Sequence, residues 1–469
     1  MKPLSIPIEN LHLETGVILL FLVMVVRTEF GRASEADYDV LRGAGPLRFL
    51  PFLFLFMAIL FTGLLHGASP LLGFEIAAGI TLSMFHPANA LCFLVHLMFL
   101  RPWDIDQTNP VLKLVPRFGA MLVLLSWMLH PKQRAHLSWR SLRGVLFLAG
   151  FSAWLLLSTL KAPSVTAAMA DYYDMFFKSL TIFTMALLLI ESERSVREVQ
   201  LTLVISSLSL LAAGLYQFLT IGLKDGRLIS SGMLGDPNDM GAVVVMALPF
   251  ALVPIFEKKT GPFAKMAGGL YAGLAGVVIW LTRSRGTMLA IVAQYLVFRL
   301  ARTKGSRLGL VLTAVLIGAG YTGLMRLVPR DAGEMQASEE SRITFWKSAV
   351  NMAVHNPLLG VGFNQYRDNY MSYAVGTIYE RGARTAHSSW FLALGESGFV
   401  GFFLFVSFFI TVVRIAWHNR DKRPAQLYAV AGYGTAMSFL SHTYSQYFYL
   451  LMALILASAA VKEKVKNAS

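Results

Sequence analysis

Positively charged and titratable side chains stand out at three places in a chain that is otherwise strongly apolar. Arg283 and Arg285 lie in a short connector between two apolar runs. Arg342 and His387 lie in a long polar stretch, and Arg384 comes shortly before the histidine. Guanidinium groups bind phosphate oxygens in a bidentate manner, and histidine can take a proton from a hydroxyl near neutral pH. These residue types suit chemistry on a charged, lipid-attached substrate.

Each of these residues also has an ordinary structural interpretation, which the residues alone leave open. Arg283 and Arg285 could be snorkelling side chains at a helix end. Arg342 could be a solvated side chain that pairs with a neighbouring glutamate, and His387 could be an interfacial histidine that caps the next helix. Glu396 follows too far along the same helix to contact His387, so a buried structural carboxylate is its expected role.

The composition predicts a polytopic membrane protein. Of the 469 residues, 55% are hydrophobic and 14% are charged, whereas ordinary globular domains carry about 25% charged residues. Separate apolar runs with internal Gly and Pro favour an all-α bundle of about 12 to 15 membrane segments over a β-barrel. The runs lie near 15–26, 47–65, 71–84, 86–100, 117–129, 143–160, 174–190, 198–222, 239–256, 266–282, 287–300, 308–328, 389–413, 425–440 and 446–462.

The basic connectors predict the orientation of the chain in the membrane. They lie at 130–143, 257–265, 299–307 and 414–424, and even numbers of apolar runs separate them. All four can therefore face the cytoplasm together with the C-terminus, as the positive-inside rule requires. The polar stretch 329–388 then faces outward. The net charge of +14 follows from this rule, and we expect no nucleic-acid partner.

The polar stretch is expected to be a helical extracytoplasmic subdomain embedded in one integrated membrane domain. Ser341 is predicted to cap a helix that runs to about His355 and ends before Pro357. The expected divisions are therefore 1–328 for the first part of the bundle, 329–388 for the loop subdomain and 389–469 for the rest of the bundle. The predicted apolar stripe of the loop helix consists of Ile343, Trp346, Val350 and Ala353.

Other polar residues give weaker signals. Asp236 and Asp239 could hold a divalent cation, but a turn with a helix N-cap explains them as well. No metal site is indicated, and we expect no cofactor. Cys92 is alone in an apolar run, which excludes a disulfide framework. Satisfied packing is the expected role of the isolated histidines His66, His86, His96 and His442.

Several short motifs, in their order along the chain, resemble the O-antigen ligase and polymerase superfamily of bacterial membrane glycosyltransferases. The resemblance covers about 280 to 400, and the segment 236–239 resembles an upstream family motif more weakly. The matching pieces are Thr282-Arg283-Ser284-Arg285-Gly286, Ser341-Arg342-Ile343-Thr344-Phe345-Trp346, Asn356-Pro357-Leu358-Leu359-Gly360-Val361-Gly362, His387-Ser388-Ser389-Trp390-Phe391-Leu392, and Glu396 with Gly398.

The resemblance implies a periplasmic, metal-independent and inverting transfer of a glycan from undecaprenyl diphosphate to an acceptor hydroxyl. Arg285 and Arg342 would grip the diphosphate as it leaves, and His387 would activate the acceptor. Arg283 and Arg384 are further substrate-binding candidates. Many family members have Asn after the histidine, so Ser388 leaves the subfamily open.

The acceptor also stays open at this point. It could be lipid A–core, a growing glycan as in an O-antigen polymerase, or a protein hydroxyl. A lipid-linked glycan flippase is the alternative from a different class, but transporters usually show internal repeats or ionisable residues at the midplane. In each case we expect a multi-pass protein of the bacterial inner membrane with a cytoplasmic C-terminus and a periplasmic loop at 329–388.

Overall fold

A computed structural model describes most of the chain after the first eighty residues. It covers position 83 and residues 86–101, 110–129, 138–224, 226–228, 236–258, 260–302, 332–375 and 385–467. The predicted spans near 15–26, 47–65 and 308–328, nearly all of that near 71–84, and Arg384 lie outside the described residues.

The described part of the chain is all-helical and contains no strand, which confirms the predicted fold class. A π-helical segment, Tyr172–Phe177, joins α4 to α5. In chain order the helices are α1 (Pro87–Leu100), α2 (Pro110–Leu129), α3 (Trp139–Ser158), α4 (Val165–Asp171), α5 (Lys178–Leu189), α6 (Glu193–Thr220), α7 (Pro237–Leu252), α8 (Pro262–Thr282), α9 (Arg285–Arg302), α10 (Ala332–His355), α11 (Tyr366–Tyr373), α12 (Ser389–His418), α13 (Pro424–Ala436) and α14 (Gln446–Asn467).

Several of these helices are long and apolar enough to cross a membrane. Among the described residues five meet both conditions: Trp139–Lys161, Glu193–Thr220, Pro237–Phe256, Pro262–Thr282 and Ser389–His418. Shorter apolar helices are Pro87–Phe99, Leu114–Leu129 and Gln446–Val461. The protein is therefore a membrane protein, while the total of 12 to 15 segments and the side on which each connector lies stay predictions.

The chain forms two compact units built from interleaved segments. The first comprises Met1–Arg134, Arg194–Met240 and Gly273–Leu281, and the second comprises Ala135–Glu193, Gly241–Ala272 and Thr282–Ser469. The predicted division at 328 and 388 stays a prediction.

In the first unit, α1 packs against both α2 and α6. Gly119 of α2 lies so close to α1 that a Cβ there would be 3.1 Å from Leu94 Cδ1. His96 is buried and its Nδ1 lies 2.9 Å from the Ser206 hydroxyl of α6. His86 accepts a hydrogen bond from the Ala88 N–H at the start of α1. The structural roles predicted for His86 and His96 are thus confirmed, whereas His66 lies outside the described residues.

The second unit is built around α14, α12 and their partners. Helix α12 packs against α3 and α10, α14 packs against α5, and α13 packs against α9. Residues 447–461 of α14 are all buried. A helix that is apolar on every side belongs in the interior of a bundle, so α14 forms the centre of this unit.

Helix α12 is broken near its first third. Gly398 has φ 67° and ψ −170°, which no α-helix contains. The turn 357–362 lies against the break: Val361 N–H donates to Gly395 O at 2.9 Å, and Phe399 N–H donates to Pro357 O at 2.9 Å. The predominantly apolar run 389–413 predicted a continuous span. The break is possible because another segment satisfies the freed backbone groups.

Two residues of α3 complete this arrangement. Ser158 Oγ contacts Leu359 O at 2.9 Å and Glu396 O at 2.7 Å. Trp154 Nε1 is 3.0 Å from Leu358 O and 3.1 Å from Ser397 O. We call residues 357–362 together with 395–398 the α12 brace.

The start predicted for the loop helix is wrong, its predicted apolar stripe is only partly buried, and its end is confirmed. Helix α10 begins at Ala332 and ends at His355, so Ser341 is an internal residue. Ala, Glu, Met and Gln precede Ser341, and their helix propensity extends the helix through that position. The buried face contains Phe345, Ala349 and Met352, with Ala353 beside them. Ile343 and Val350 of the predicted stripe are exposed.

Candidate functional site

The hinge between α8 and α9 places Arg283 and Arg285 at the start of α9. Arg283 adopts a left-handed conformation with φ 49°. The Ser284 hydroxyl accepts hydrogen bonds from the Thr287 N–H at 3.3 Å and from the Thr287 hydroxyl at 2.8 Å, which caps α9. Arg285 is the first residue of α9. The positive end of the helix dipole adds to its charge, so the hinge favours a bound anion.

Phe439 connects this hinge to α10. It belongs to a 3-10 turn, Met437–Phe439, that follows α13. A Cβ at Gly286 would lie 3.2 Å from Phe439 Cβ, so the aromatic residue packs directly on the hinge. The Arg342 Cζ lies 6.0 Å from the centre of the Phe439 ring, at the limit of a cation–π contact. The hinge and Arg342 therefore share one aromatic neighbour.

Arg342 lies well inside α10, which corrects the prediction that it occupies the first turn. The helix dipole consequently contributes little at Arg342, because its effect falls off within the terminal turn. Arg285, at the first residue of α9, is the arginine whose charge the helix dipole reinforces. Arg342 remains half-buried, and its guanidinium brings a second fixed positive charge to Phe439.

His387 lies just before α12 and is held in a strained conformation. Its φ is 46°, and the left-handed region costs a non-glycine residue about 1–2 kcal/mol. Ser388 occupies the N-cap position of α12 without a capping hydrogen bond from its side chain, so His387 lies one residue before the N-cap. The imidazole lies 5.8 Å from the Phe345 ring, centre to centre. Phe345 is about one helical turn from Arg342 on α10. His387 therefore packs on α10 about one turn away from Arg342.

The connection between α13 and α14 fixes the start of α12. Ser389 Oγ donates to Leu440 O at 2.7 Å and accepts from the His442 N–H at 2.8 Å. Thr443 Oγ1 donates to Ser389 O at 2.8 Å. The Ser441 hydroxyl donates to the Thr385 hydroxyl at 2.8 Å, just before His387. Hydrogen bonds at Thr385 and Ser389 therefore hold the chain on both sides of His387.

Sequence reasoning missed this connection, which spans 437–445. It assigned His442 only a packing role, and the His442 Nδ1 does lie 2.8 Å from the Tyr433 hydroxyl. The cluster of Ser, His, Thr and Tyr between two apolar helices is the signal that could have marked it. Its partners lie about fifty residues earlier in the chain, so local patterns do not reveal the contacts.

Glu396 is a buried structural carboxylate, as predicted. Its Oε1 accepts a hydrogen bond from the Tyr366 N–H at 3.2 Å, and its Oε2 accepts one from the Tyr444 hydroxyl at 2.6 Å. Burial and the nearby carboxylate raise the pKa of Tyr444 well above its usual value. The phenol therefore stays protonated and keeps donating to Glu396.

The second unit holds the predicted site residues Arg283, Arg285, Arg342 and His387, which we call the arginine–histidine site. Phe439 lies against Gly286 of the hinge and beside Arg342, and Phe345 of α10 lies beside His387. Arg384 lies outside the described residues, so its predicted role stays a prediction.

The predicted turn at Asp236 is confirmed in the first unit. Asp236 Oδ1 accepts from the Asn238 N–H at 2.7 Å, just as α7 begins. The Asn238 side chain in turn accepts from Arg227 at 3.0 Å. Within the ranges that the structure describes, no three His, Cys, Asp or Glu side chains come together as metal ligands.

The fold and the site define a class: a membrane protein, all-helical in the described residues, with two arginine-bearing helices packed at Phe439 and a histidine just before a broken apolar helix. Residues 270–406 match a family model described as O-antigen ligase, and this match confirms the resemblance to the O-antigen ligase and polymerase superfamily. A comparison with curated proteins gave no match. The matched region covers less than a third of the chain. It contains the whole arginine–histidine site and the α12 brace but ends before Phe439.

The family match supports a membrane glycosyltransferase-like enzyme whose substrates are a lipid-linked glycan and an acceptor. Its particular reaction and the roles of individual residues are taken up as a proposal.

Proposed function

We propose that this protein transfers a glycan from undecaprenyl diphosphate to an acceptor hydroxyl at the periplasmic face of the bacterial inner membrane. The observation that carries the proposal is the convergence of two separate arginine-bearing elements on Phe439, with His387 packed one turn along α10. The family match supports glycan transfer in general. The remaining details rest on chemistry.

In the proposed reaction, the arginines bind the diphosphate and His387 acts as the base. The imidazole takes the proton of the acceptor hydroxyl while that oxygen attacks the anomeric carbon. The bond from this carbon to the diphosphate oxygen breaks, and undecaprenyl diphosphate leaves with the electron pair. Attack from the opposite face inverts the anomeric configuration.

Fixed cations are most effective where charge develops in the transition state. The leaving diphosphate gains negative charge as its bond to the sugar breaks. Arg285 begins α9, where the helix dipole adds to its charge, so it is assigned the main contact with the leaving group. Arg342 binds the same diphosphate from α10, and Arg283 and Arg384 assist. The mechanism assigns no step to a metal ion.

The acceptor separates the remaining possibilities within this class. Lipid A–core would make the protein an O-antigen ligase, a growing glycan would make it a polymerase, and a protein hydroxyl would make it an O-oligosaccharyltransferase. All three use the same donor chemistry, so the arginine–histidine site is compatible with each of them. A flippase would move the same donor without forming a new glycosidic bond.

The test is transfer by purified full-length protein in lipid nanodiscs. The donor is an undecaprenyl-diphosphate-linked glycan, and parallel reactions contain lipid A–core, glycan or protein as the acceptor, each with excess chelator. We expect a new glycosidic product with one of the acceptors and an undiminished rate with the chelator. Donor translocation without product in any reaction would contradict the enzyme assignment in favour of a flippase.

A further inference from the structure

A second basic cluster surrounds a cavity far from the arginine–histidine site. The cavity has a volume of about 1160 Å³ and is lined by parts of α3, α12 and α14. Arg140 and Arg143 come from α3, and Arg414 and His418 come from the end of α12. Its eleven lining residues include no acidic side chain. The cavity therefore has the electrostatics of an anion site.

The start of α3 strengthens this preference for an anion. The Ser138 hydroxyl caps the helix by accepting from the Ser141 N–H at 3.0 Å. Arg140 therefore lies in the first turn, where the helix dipole is positive. Arg140, Arg143 and Arg414 are exposed side chains, so their guanidinium groups are accessible to a ligand.

The cavity is also apolar enough to hold acyl chains. Leu146, Phe147 and Ile415 line it beside the arginines, and Trp139 lies at its edge with 71% of its surface exposed. An exposed tryptophan next to arginines at a helix end is typical of the membrane–water interface. A basic pocket with apolar walls between membrane helices is suited to an anionic lipid head group.

The ends of α12 separate this cavity from the arginine–histidine site. His387 precedes the first residue of α12, whereas His418 is the last of its thirty residues. The cavity arginines lie in the basic connectors 130–143 and 414–424, which the positive-inside rule assigns to the cytoplasmic face. The structure brings these two connectors to one cavity.

We propose that this cavity binds an anionic phospholipid of the surrounding bilayer, with its phosphate between Arg140, Arg143 and Arg414. The acyl chains would follow the apolar wall formed by Leu146, Phe147 and Ile415. A phospholipid suits the site better than a soluble anion because five of the eleven lining residues are apolar and would remain uncovered by a soluble anion. The proposal does not depend on the reaction proposed for the arginine–histidine site.

The test is native mass spectrometry of the full-length protein with equal amounts of phosphatidylglycerol and phosphatidylcholine. We expect the wild-type protein to retain phosphatidylglycerol with a preference of at least about tenfold. The triple variant Arg140→Gln, Arg143→Gln, Arg414→Gln should lose this preference. A control triple variant removes exposed cations outside the cavity: Arg117→Gln, Lys161→Gln and Lys258→Gln. It should behave as the wild type.

Equal retention of the two lipids by wild type would overturn the proposal, as would an unchanged preference in the cavity variant. Displacement of phosphatidylglycerol by a tenfold lower concentration of undecaprenyl phosphate would overturn the choice of a phospholipid. Displacement by soluble glycerol phosphate at equal concentration would do the same. If the triple variant fails to fold, the single variant Arg143→Glu should weaken retention, and unchanged retention there overturns the proposal too.

Discussion

The α12 brace and the arginine–histidine site both contain residues with positive φ, but different residue types occupy those positions. In the brace they are Gly360, Gly362 and Gly398, at φ 66°, 115° and 67°. A Cβ at Gly360 or Gly398 would come within 2.5 Å of backbone atoms. In the site they are Arg283 and His387, at φ 49° and 46°. Glycine removes the strain in the brace, whereas the site retains it under charged and titratable side chains.

This difference indicates that the α12 brace positions the helix, whereas the arginine–histidine site takes part in the proposed reaction. The brace satisfies its backbone groups through Val361, Gly362 and Phe399, and Glu396 is bound by Tyr366 and Tyr444. Strain that persists in a non-glycine residue is a reason to suspect function. Changes in the brace should therefore reduce the amount of folded protein, and changes in the site should reduce the rate of transfer.

The largest effect on rate is expected at Arg285. Replacing it with alanine removes a fixed cation from the leaving diphosphate, and we expect transfer to fall by about 100- to 1,000-fold. Arg285→Lys keeps the charge but loses the bidentate geometry, so its transfer rate should lie between those of the wild type and Arg285→Ala. The measurement is the initial transfer rate per folded molecule in nanodiscs.

The matched control for the arginines is Lys347, an exposed cation on α10. Lys347→Ala should transfer at the wild-type rate, whereas Arg342→Ala on the same helix should lose most activity. If the two alanine variants on α10 are equally active, Arg342 has no role in binding the diphosphate.

The largest effect on stability is expected at Gly398. Alanine there combines the left-handed backbone with a Cβ 2.5 Å from Leu358 O, which should cost at least about 3 kcal/mol. Gly398→Ala should therefore accumulate poorly in membranes and unfold at a lower temperature. Gly269 of α8 is the control, since nothing lies within 4 Å of a Cβ there. A Gly398→Ala protein as stable as Gly269→Ala would contradict the role of the brace.

A smaller effect is expected at Phe439, which packs on the hinge and beside Arg342. Phe439→Ala should raise the KM for the lipid-linked donor by about tenfold, because it loosens both arginine-bearing elements. Phe439→Tyr should restore the wild-type KM because it keeps the ring. Phe403 is exposed on α12, and Phe403→Ala serves as the control. A lower kcat with an unchanged KM in Phe439→Ala would contradict this positioning role.

The smallest effect is expected at Tyr444. Tyr444→Phe removes the hydrogen bond to Glu396 and leaves a buried carboxylate with one partner fewer, at a cost of about 1–3 kcal/mol. The unfolding temperature should fall while the transfer rate per folded molecule stays unchanged. Tyr295→Phe, at an exposed position of α9, should alter neither. A lower transfer rate in Tyr444→Phe without a lower unfolding temperature would contradict the structural role of Glu396 and indicate a role in the reaction.

The helices were predictable from the sequence where apolar runs and their ends are local signals. The run near 143–160 is α3, and Pro357 marks the end of α10 as expected. The start of α10 was not predictable in this way, because Ser341 has the residue type of a cap but follows a segment of strong helix formers. Local propensity decided that position against the capping signal.

The contacts that assemble the site were less predictable than its residues. Arg285, Arg342 and His387 could be named from motifs, but nothing local indicates that Phe439 lies against both Gly286 and Arg342. The break at Gly398 was missed for the same reason. The run around it is mostly apolar, and the turn 357–362 that hydrogen-bonds to the break lies earlier in the chain. Tertiary contacts determine both features.

The most direct test of the central claim compares donor binding and transfer in His387→Ala. The account predicts that this variant binds the undecaprenyl-diphosphate-linked glycan with wild-type affinity, since the arginines are intact, yet forms product at least about 100-fold more slowly. The measurement is made on the same nanodisc preparation, with folded protein quantified by its unfolding transition. Transfer at a near-wild-type rate would show that His387 is not the base, and the proposed mechanism would be wrong.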